Sequence, residues 1–456
     1  MREDIKRGLG CCLLDPSAGG STAKRLVAYC AEQEKQNVLL ISPSHTYEPV
    51  KKTVGLNPFK ESSRDPELRQ SSIDTLMRAI RALYGVKDPS EQSRIERYLP
   101  LVFTALYDAK RPLVDAVYFT HRADRNTQDE ILSHTDSYIE QDIREALSTT
   151  SLQYNNFQST ITRLLRFTRG PLGKMFSVTQ GVDWLEVIRN NWVVVVRLDK
   201  LDTFDARLLG TYIISELETA KERMNAIIDS QRNFKDAGNY PPFYLYADEA
   251  YLFASQSLKN ILDLKQKMNF KVTLAHHTAK QFDDPAVYAS IKTNCDMTVE
   301  FYVKSRADRD DIAREMYGGD IDPQDASYAH SNLSKQHAVI KNGKDNPVTV
   351  RLPDVPTPDI SSQQLTNYIL KLYQHHWYHD SDTIYQPTYA TPPSNRNNSG
   401  NRAKNDPPPN NPNPHPGRAS SSQTWTVVPE DLPGRKQHSE GNDKTKPKVS
   451  KTKPKK

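Results

Sequence analysis

The sequence predicts an α/β protein: a parallel sheet covered by helices. Three observations carry this. Short continuous apolar runs recur, as strands buried on both faces require. Between them lie apolar stripes at three- and four-residue spacing, the mark of amphipathic helices. Several of the runs end on polar residues, the pattern of one sheet edge carrying a site.

The first strand is Cys11-Cys12-Leu13-Leu14, ending at Asp15-Pro16. Gly19-Gly20-Ser21-Thr22-Ala23-Lys24 follows and reads either as a phosphate-binding loop or as a loop with a helix start. Val38 to Ile41 is the second strand and stops at Ser42-Pro43. From Asn57-Pro58 to about Gly170 nearly everything reads as helix. Ile73, Leu76, Met77, Ile80 and Leu83 form one stripe there, and Gly85 suits its C-terminal cap. Val193 to Val196 is a strand ending near Asp199, and Leu209, Ile213, Leu217, Ala220 and Met224 mark the helix after it. Phe243 to Tyr246 leads into Asp248-Glu249, and Lys271 to Ala275 leads into His276-His277. Met297 to Tyr302 and His337 to Ile340 complete the expected strands.

Composition divides the chain. It has 456 residues, 36% hydrophobic and 26% charged, with a net charge of +5. Residues 391–456 hold 13 Lys+Arg against 5 Asp+Glu, so the body before them is slightly acidic. From about Asp382 onward Pro, Asn, Ser and Lys dominate, too polar to bury a core, and a disordered basic tail is expected. Trp425 to Val428 is a short apolar island within it. Cys11, Cys12, Cys30 and Cys295 form no C-x-x-C pair and read as reduced core residues of a cytosolic protein. No apolar run reaches the roughly 20 residues that span a bilayer.

Asp248-Glu249 is the informative pair. At the end of a buried strand, one carboxylate holds Mg²⁺ through water and the next orients a water for attack on a γ-phosphate. The competing reading is an exposed helix start with acids in its first turn. A nucleotide motor also needs G-x-x-x-x-G-K-[ST], and that string is absent.

In order, these segments resemble the HerA/FtsK superfamily of DNA-pumping ATPases, and more narrowly the TraG/TraD-type coupling proteins of conjugative type IV secretion. Ile5 to Pro16 is similar to the family's second strand, Gly55-Leu-Asn-Pro-Phe59 to the turn before its helical insertion, and Val182 to Gly210 to its third strand and next helix. Asp248-Glu249-Ala250 matches its Walker B, Leu274 to His277 its sensor strand, and Asn294 to Asp311 its following strand and helix.

The resemblance implies a RecA-like sheet lacking its first strand and phosphate loop, as from a truncated reading frame, a late start codon or an excised fragment. It implies ATPase core at 1–59 and 171–355, an all-helical insertion at 60–170, a C-terminal helix at 356–381 and the tail at 382–456. It further implies ATP and Mg²⁺ as cofactors and DNA as substrate. The assembly would be a hexameric ring in the cytoplasm, at the inner face of the membrane through partners or a missing N-terminal region. Relaxase or secretion-channel proteins would be its partners. Without the phosphate loop, hydrolysis by the chain alone is not expected. Two other readings stay open: a non-catalytic interaction subunit keeping the motor fold, and a HerA-like repair motor.

Single residues carry paired readings. His277 replaces the family's usual Gln and reads as a γ-phosphate sensor or a surface histidine. Asp15 reads as a nucleotide-edge residue or an Asp-Pro turn. Arg207 and Arg306 read as arginines acting across a ring interface or as helix-surface charges. His375, His376 and His379 read as a metal cluster or as none. The tail reads as a DNA- or acidic-partner-binding arm or as a solubilising one.

Overall fold

The computed structural model describes residues 1–43, 51–59, 65–84, 89–120, 124–151, 153–231, 241–264, 268–317 and 333–387. Its centre is a five-stranded, wholly parallel sheet in the order β2-β4-β1-β5-β6. The strands are β1 (Gly10–Asp15), β2 (Val38–Ile41), β4 (Val193–Arg197), β5 (Phe243–Ala247) and β6 (Phe270–Leu274). Every residue of β1, β2 and β4 is buried, which is why these segments read as unbroken apolar runs. Burial then falls across the sheet: β5 alternates, and in β6 Lys271 and Thr273 are exposed.

Helix α1 (Arg2–Lys6) precedes β1, and α2 (Ser21–Glu32) crosses from β1 to β2. Among the described residues of 66–189 every regular element is helical, with α3 (Pro66–Tyr84), α4 (Pro89–Asp108), α5 (Arg125–Leu132), α6 (Ser137–Leu147), α7 (Tyr154–Leu164), α8 (Gly170–Phe176) and α9 (Trp184–Arg189). Helix α10 (Thr203–Gln231) then carries the predicted stripe, with Leu209, Ile213, Leu217 and Ala220 buried. One apolar core runs from α3, α4 and α7 through α10 onto β4 and β5, so packing is continuous across residue 170. A polar seam crosses it: Arg78 of α3 donates to Thr219 at 2.7 Å and lies 3.5 Å from Glu218, which accepts from Asn260 of α11 (Gln256–Asp263) at 2.8 Å.

Several expectations need correction. Met297 to Tyr302 and His337 to Ile340 do not join the parallel sheet. They form β7 (Met297–Glu300) and β8 (His337–Asn342), which with β9 (Val348–Arg351) make a separate antiparallel sheet. Alternation in these segments, rather than an unbroken apolar run, is the sign of that difference. The expected C-terminal helix is α14 (Ser362–Leu372), set by a Ser361–Gln364 capping box. The chain then returns as β10 (Tyr378–Asp380) beside β3 (Lys52–Val54), two strands too short to read from pattern. The Tyr378 hydroxyl donates to Leu40 O at 3.1 Å and accepts from Leu40 N at 2.9 Å, closing the outer edge of β2. Gly85 and residues 388–456, with the Trp425 island, lie outside the described residues.

Candidate functional site

A parallel sheet brings all its strand ends to one edge. Here that edge gathers Asp15, Arg197, Asp248 and Glu249, and His276-His277 at the ends of β1, β4, β5 and β6. Asp248 is fixed by its own backbone, whose N–H donates to Leu14 O at 3.1 Å. Its Oδ1 accepts the Glu249 N–H at 3.1 Å. Glu249 sits at φ 49°, a left-handed conformation that costs a side-chain-bearing residue energy. A 3₁₀ turn, Ala250–Phe253, follows, pinned by Ala250 N–H donating to Ala275 O at 2.8 Å. The helix-start reading of the two acids therefore fails: they occupy a strained turn at a strand end.

Glu249 Oε1 lies 2.9 Å from His277 Nε2, with Glu249 23% and His277 76% exposed. Glu249 Oε2 is buried with no hydrogen-bond partner among the described residues. Tyr251 stands close by: burial and then the Glu249 charge push its hydroxyl pKa up, while Arg207 pulls it down. Arg207 donates to Asp283 at 3.2 Å. So the structure brings together Asp248, Glu249, His277, Tyr251 and Arg207. His276 turns away, packing edge-on to Phe282 and Tyr288, and burial lowers its pKa.

Two other expected residues make their contacts outside this group. Asp15 is fully buried and accepts from Ser17 N at 3.1 Å, from Ser17 Oγ and from Ala23 N at 2.7 Å. It organises the Asp-Pro turn, and its carboxylate occupies the N-terminal turn of α2. The Gly19–Lys24 segment thus folds as a loop and helix start, its Ala23 amide already facing an anion of the chain itself. Arg306 lies on α13 (Arg306–Tyr317), 77% exposed and 3.9 Å from Asp310. His375 packs edge-on against Trp192 and Trp377, while His379 faces Gln180 O at 3.1 Å. No metal-holding cluster is found among the described residues, and no helix there is long and apolar enough to cross a membrane.

The sequence reading missed three contributors. Arg197 and Asp199 form a buried ion pair at 3.0 Å that closes over Gly20; a charge directly after four valines was the available signal. Tyr251 had no signal beyond nearness to the acids. Gly210 of α10 lies so close to the Phe253 ring that a Cβ would strike it.

Adjacent carboxylates, one with an orphaned oxygen, suit a hard divalent cation with its waters. The Gly19–Lys24 turn at this edge departs from G-x-x-x-x-G-K-[ST], and its Ala23 amide is taken by Asp15. No family model and no curated protein matches the sequence. Solved structures do. The bacterial conjugative coupling protein TrwBdeltaN70, unbound monoclinic form, is 13% identical with TM-score 0.52, covering 78% of this chain and 82% of that one. Its trigonal form in complex with sulphate is 12% identical with TM-score 0.52 and the same coverage, 78% and 82%. TrwB in complex with ADP and Mg²⁺ is 11% identical with TM-score 0.49, covering 80% and 82%. The chain shares the RecA-like α/β fold of these conjugative coupling-protein structures.

Proposed function

We propose that the chain is the metal-side portion of a Mg-ATP-driven DNA motor serving conjugative transfer. One observation carries the reading: Asp248-Glu249 at a parallel strand end, Glu249 held in a left-handed turn with one oxygen unpaired. The fold shared with TrwBdeltaN70, a conjugative coupling protein by name, supports the setting.

In this reading Asp248 would hold Mg²⁺ through its waters, and Glu249 would accept a hydrogen bond from the attacking water and orient it. His277, 2.9 Å from Glu249, would restrain it and donate toward developing phosphate charge. Arg207, which donates to Asp283, would act across a ring of subunits. Bound Mg-ATP would supply the transferable phosphoryl group. Holding its phosphates requires residues beyond those at this edge, and positioning is most of phosphoryl-transfer catalysis. DNA, a homo-oligomeric ring and a relaxase or channel protein are the partners this reading names.

The test is Mn²⁺ titration followed by electron paramagnetic resonance, with ATP turnover measured beside it. The expected result is Mn²⁺ binding that weakens at least tenfold in Asp248→Asn, and ATP turnover near background. Unchanged Mn²⁺ binding in that variant would overturn the metal role. DNA-stimulated turnover that Glu249→Gln abolishes would put the phosphate site within the chain. A second reading, a non-catalytic subunit keeping the motor fold, is favoured by the Asp15 carboxylate at the start of α2. Binding to a ring partner with no nucleotide effect would support it.

A further inference from the structure

We propose that the cavity bounded by Lys110, the loop after α8 and Tyr385 binds a small organic phosphate, a phosphate monoester carried on a flat aromatic body. Its lining includes neither Asp248 nor Glu249, and the proposal does not rest on the reading above.

The cavity measures about 650 Å³, the size of a small-molecule site. Three segments far apart in sequence wall it. They are the turn after α4 at 109–112, the loop after α8 at 177–180, and β10 with the residues that follow it.

Lys110 is the first sign of a ligand. Its N–H donates to Tyr107 O at 3.0 Å, and the Arg111 N–H donates to Leu106 O at 2.9 Å. This is a Schellman cap on α4, with Lys110 at the position where glycine is usual. Lys110 accordingly takes φ 55°, which glycine adopts freely and lysine only under strain. Strain of this kind collects at functional sites. The Lys110 ammonium has no partner among the described residues. Other exposed lysines do: Lys292 of α12 (Pro285–Asn294) lies 2.7 Å from Glu315, and Lys259 binds Asp263. Arg111 beside it is already engaged, donating to Glu130 at 2.9 Å with its other terminal nitrogen 3.5 Å from Asp115. The competing account is a lysine that only complements the α4 dipole, and it needs no ligand.

The loop after α8 supplies neutral donors. Thr179 O accepts from Asn57 Nδ2 at 3.0 Å, and Gln180 O accepts from His379 Nε2 at 3.1 Å. In a trans peptide the next N–H points opposite to the carbonyl, so the Gln180 and Gly181 amides turn away from those partners. The N–H groups of Val178, Thr179, Gln180 and Gly181 donate to nothing among the described residues. Successive unpaired amides suit an anion. Close packing holds this loop in place: a Cβ on Gly55 would lie 2.4 Å from Gln180 O, and the Val182 N–H donates to Gly55 O at 2.9 Å. Donors fixed in advance lose little freedom on binding.

The ligand's body follows from the remaining wall. Pro112 and Ile384 line it with the Tyr385 ring, which is 41% exposed and has its hydroxyl 3.2 Å from that of Tyr118. A ring anchored in this way offers its face to a planar group. Three ammonium protons and a row of amides exceed the roughly four acceptor sites of a carboxylate, and match the three terminal oxygens of a phosphate monoester.

The test is calorimetric titration of the full chain with naphthyl phosphate, at neutral pH and without divalent metal. Naphthol, naphthoate and inorganic phosphate are the comparison probes. Saturable binding of naphthyl phosphate, at least tenfold tighter than any of the three, is expected. Lys110→Gly suits the left-handed turn and should bind the probe at least tenfold more weakly. Lys110→Gln keeps the strain and removes only the charge; it should lose as much, and it decides the matter if the glycine variant does not fold. Asp380→Asn keeps the oxygen that accepts from the Asp382 N–H at 3.0 Å and removes a repelling charge, so it should bind at least twofold more tightly. No saturable binding, or naphthoate binding as tightly, would overturn the proposal. Unchanged affinity in both Lys110 variants would leave this lysine as a helix cap and overturn it too. Asp248→Asn should bind the probe unchanged; weakened binding there would put the phosphate at the carboxylate edge instead. The Mn²⁺ result stands whichever way this titration falls.

Discussion

Glu249 pays for its position in backbone strain, and that is separable from its carboxylate. Both Glu249→Ala and Glu249→Gly remove the His277 pair, which at this exposure is worth no more than about 1 kcal/mol. They differ in tolerance of φ 49°. Glu249→Gly should therefore be more stable than Glu249→Ala by about 1 kcal/mol in urea unfolding, although glycine is the more flexible residue when unfolded. Equal stability would mean the turn is relaxed. A second residue sets a pH dependence. Asp115 is fully buried, and burial pushes its pKa up to about 6 against the influence of Tyr385 and Arg111, whose Nη1 lies 3.5 Å away. Above the usual carboxylate range the unfolded chain has lost this proton while the folded chain keeps it until about pH 6. Stability should thus fall as pH rises through that window, by up to about 1.4 kcal/mol per unit. Asp115→Asn should flatten the slope between pH 4 and 6; an unchanged slope in thermal melts would assign it to other groups.

Single elements show what pattern reveals and what it hides. The central strands were legible because burial on both faces demands continuous apolar runs, and Val193 to Val196 has no other reading. Asp248 and Glu249 were legible for the same reason, being the first polar residues after such a run. Strands β3, β9 and β10 were not, because three or four residues on a small antiparallel sheet impose little pattern. The surroundings of Asp15 and Arg306 were not legible locally: one side chain is a buried acceptor and the other is exposed, and only the packing around them shows it. Gly210 shows how one element positions the site from a distance. Its missing Cβ lets α10 meet Phe253, the last residue of the turn that carries Glu249. Gly210→Ala should destabilise by about 1–3 kcal/mol through overpacking, despite alanine's better helix propensity. Phe253→Leu added to it should recover part of that loss. A double variant no better than the sum of its parts would show that the two do not touch.

At the scale of the whole molecule, charge and core are carried by different parts of the chain. The buried residues described run from Ile5 to Ser381, and one compact unit spans Met1–Pro392. The excess of basic residues lies in 391–456, where 13 Lys+Arg meet 5 Asp+Glu. A DNA-handling reading of the fold therefore places most of any phosphate affinity on a segment that contributes nothing to the described core. Removing residues 393–456 should leave the melting temperature within about 2 °C of the full chain's, since no described core residue is lost. The same truncation should weaken binding to duplex DNA at least tenfold at low salt. It should also flatten the dependence of affinity on salt, because each cation withdrawn from a phosphate takes its counterion-release contribution with it. Fluorescence anisotropy from 50 to 200 mM salt measures both effects at once. If affinity and salt slope survive truncation, DNA is gripped by the slightly acidic body. The exposed Lys271 on β6 and Arg306 on α13 then become the first residues to neutralise.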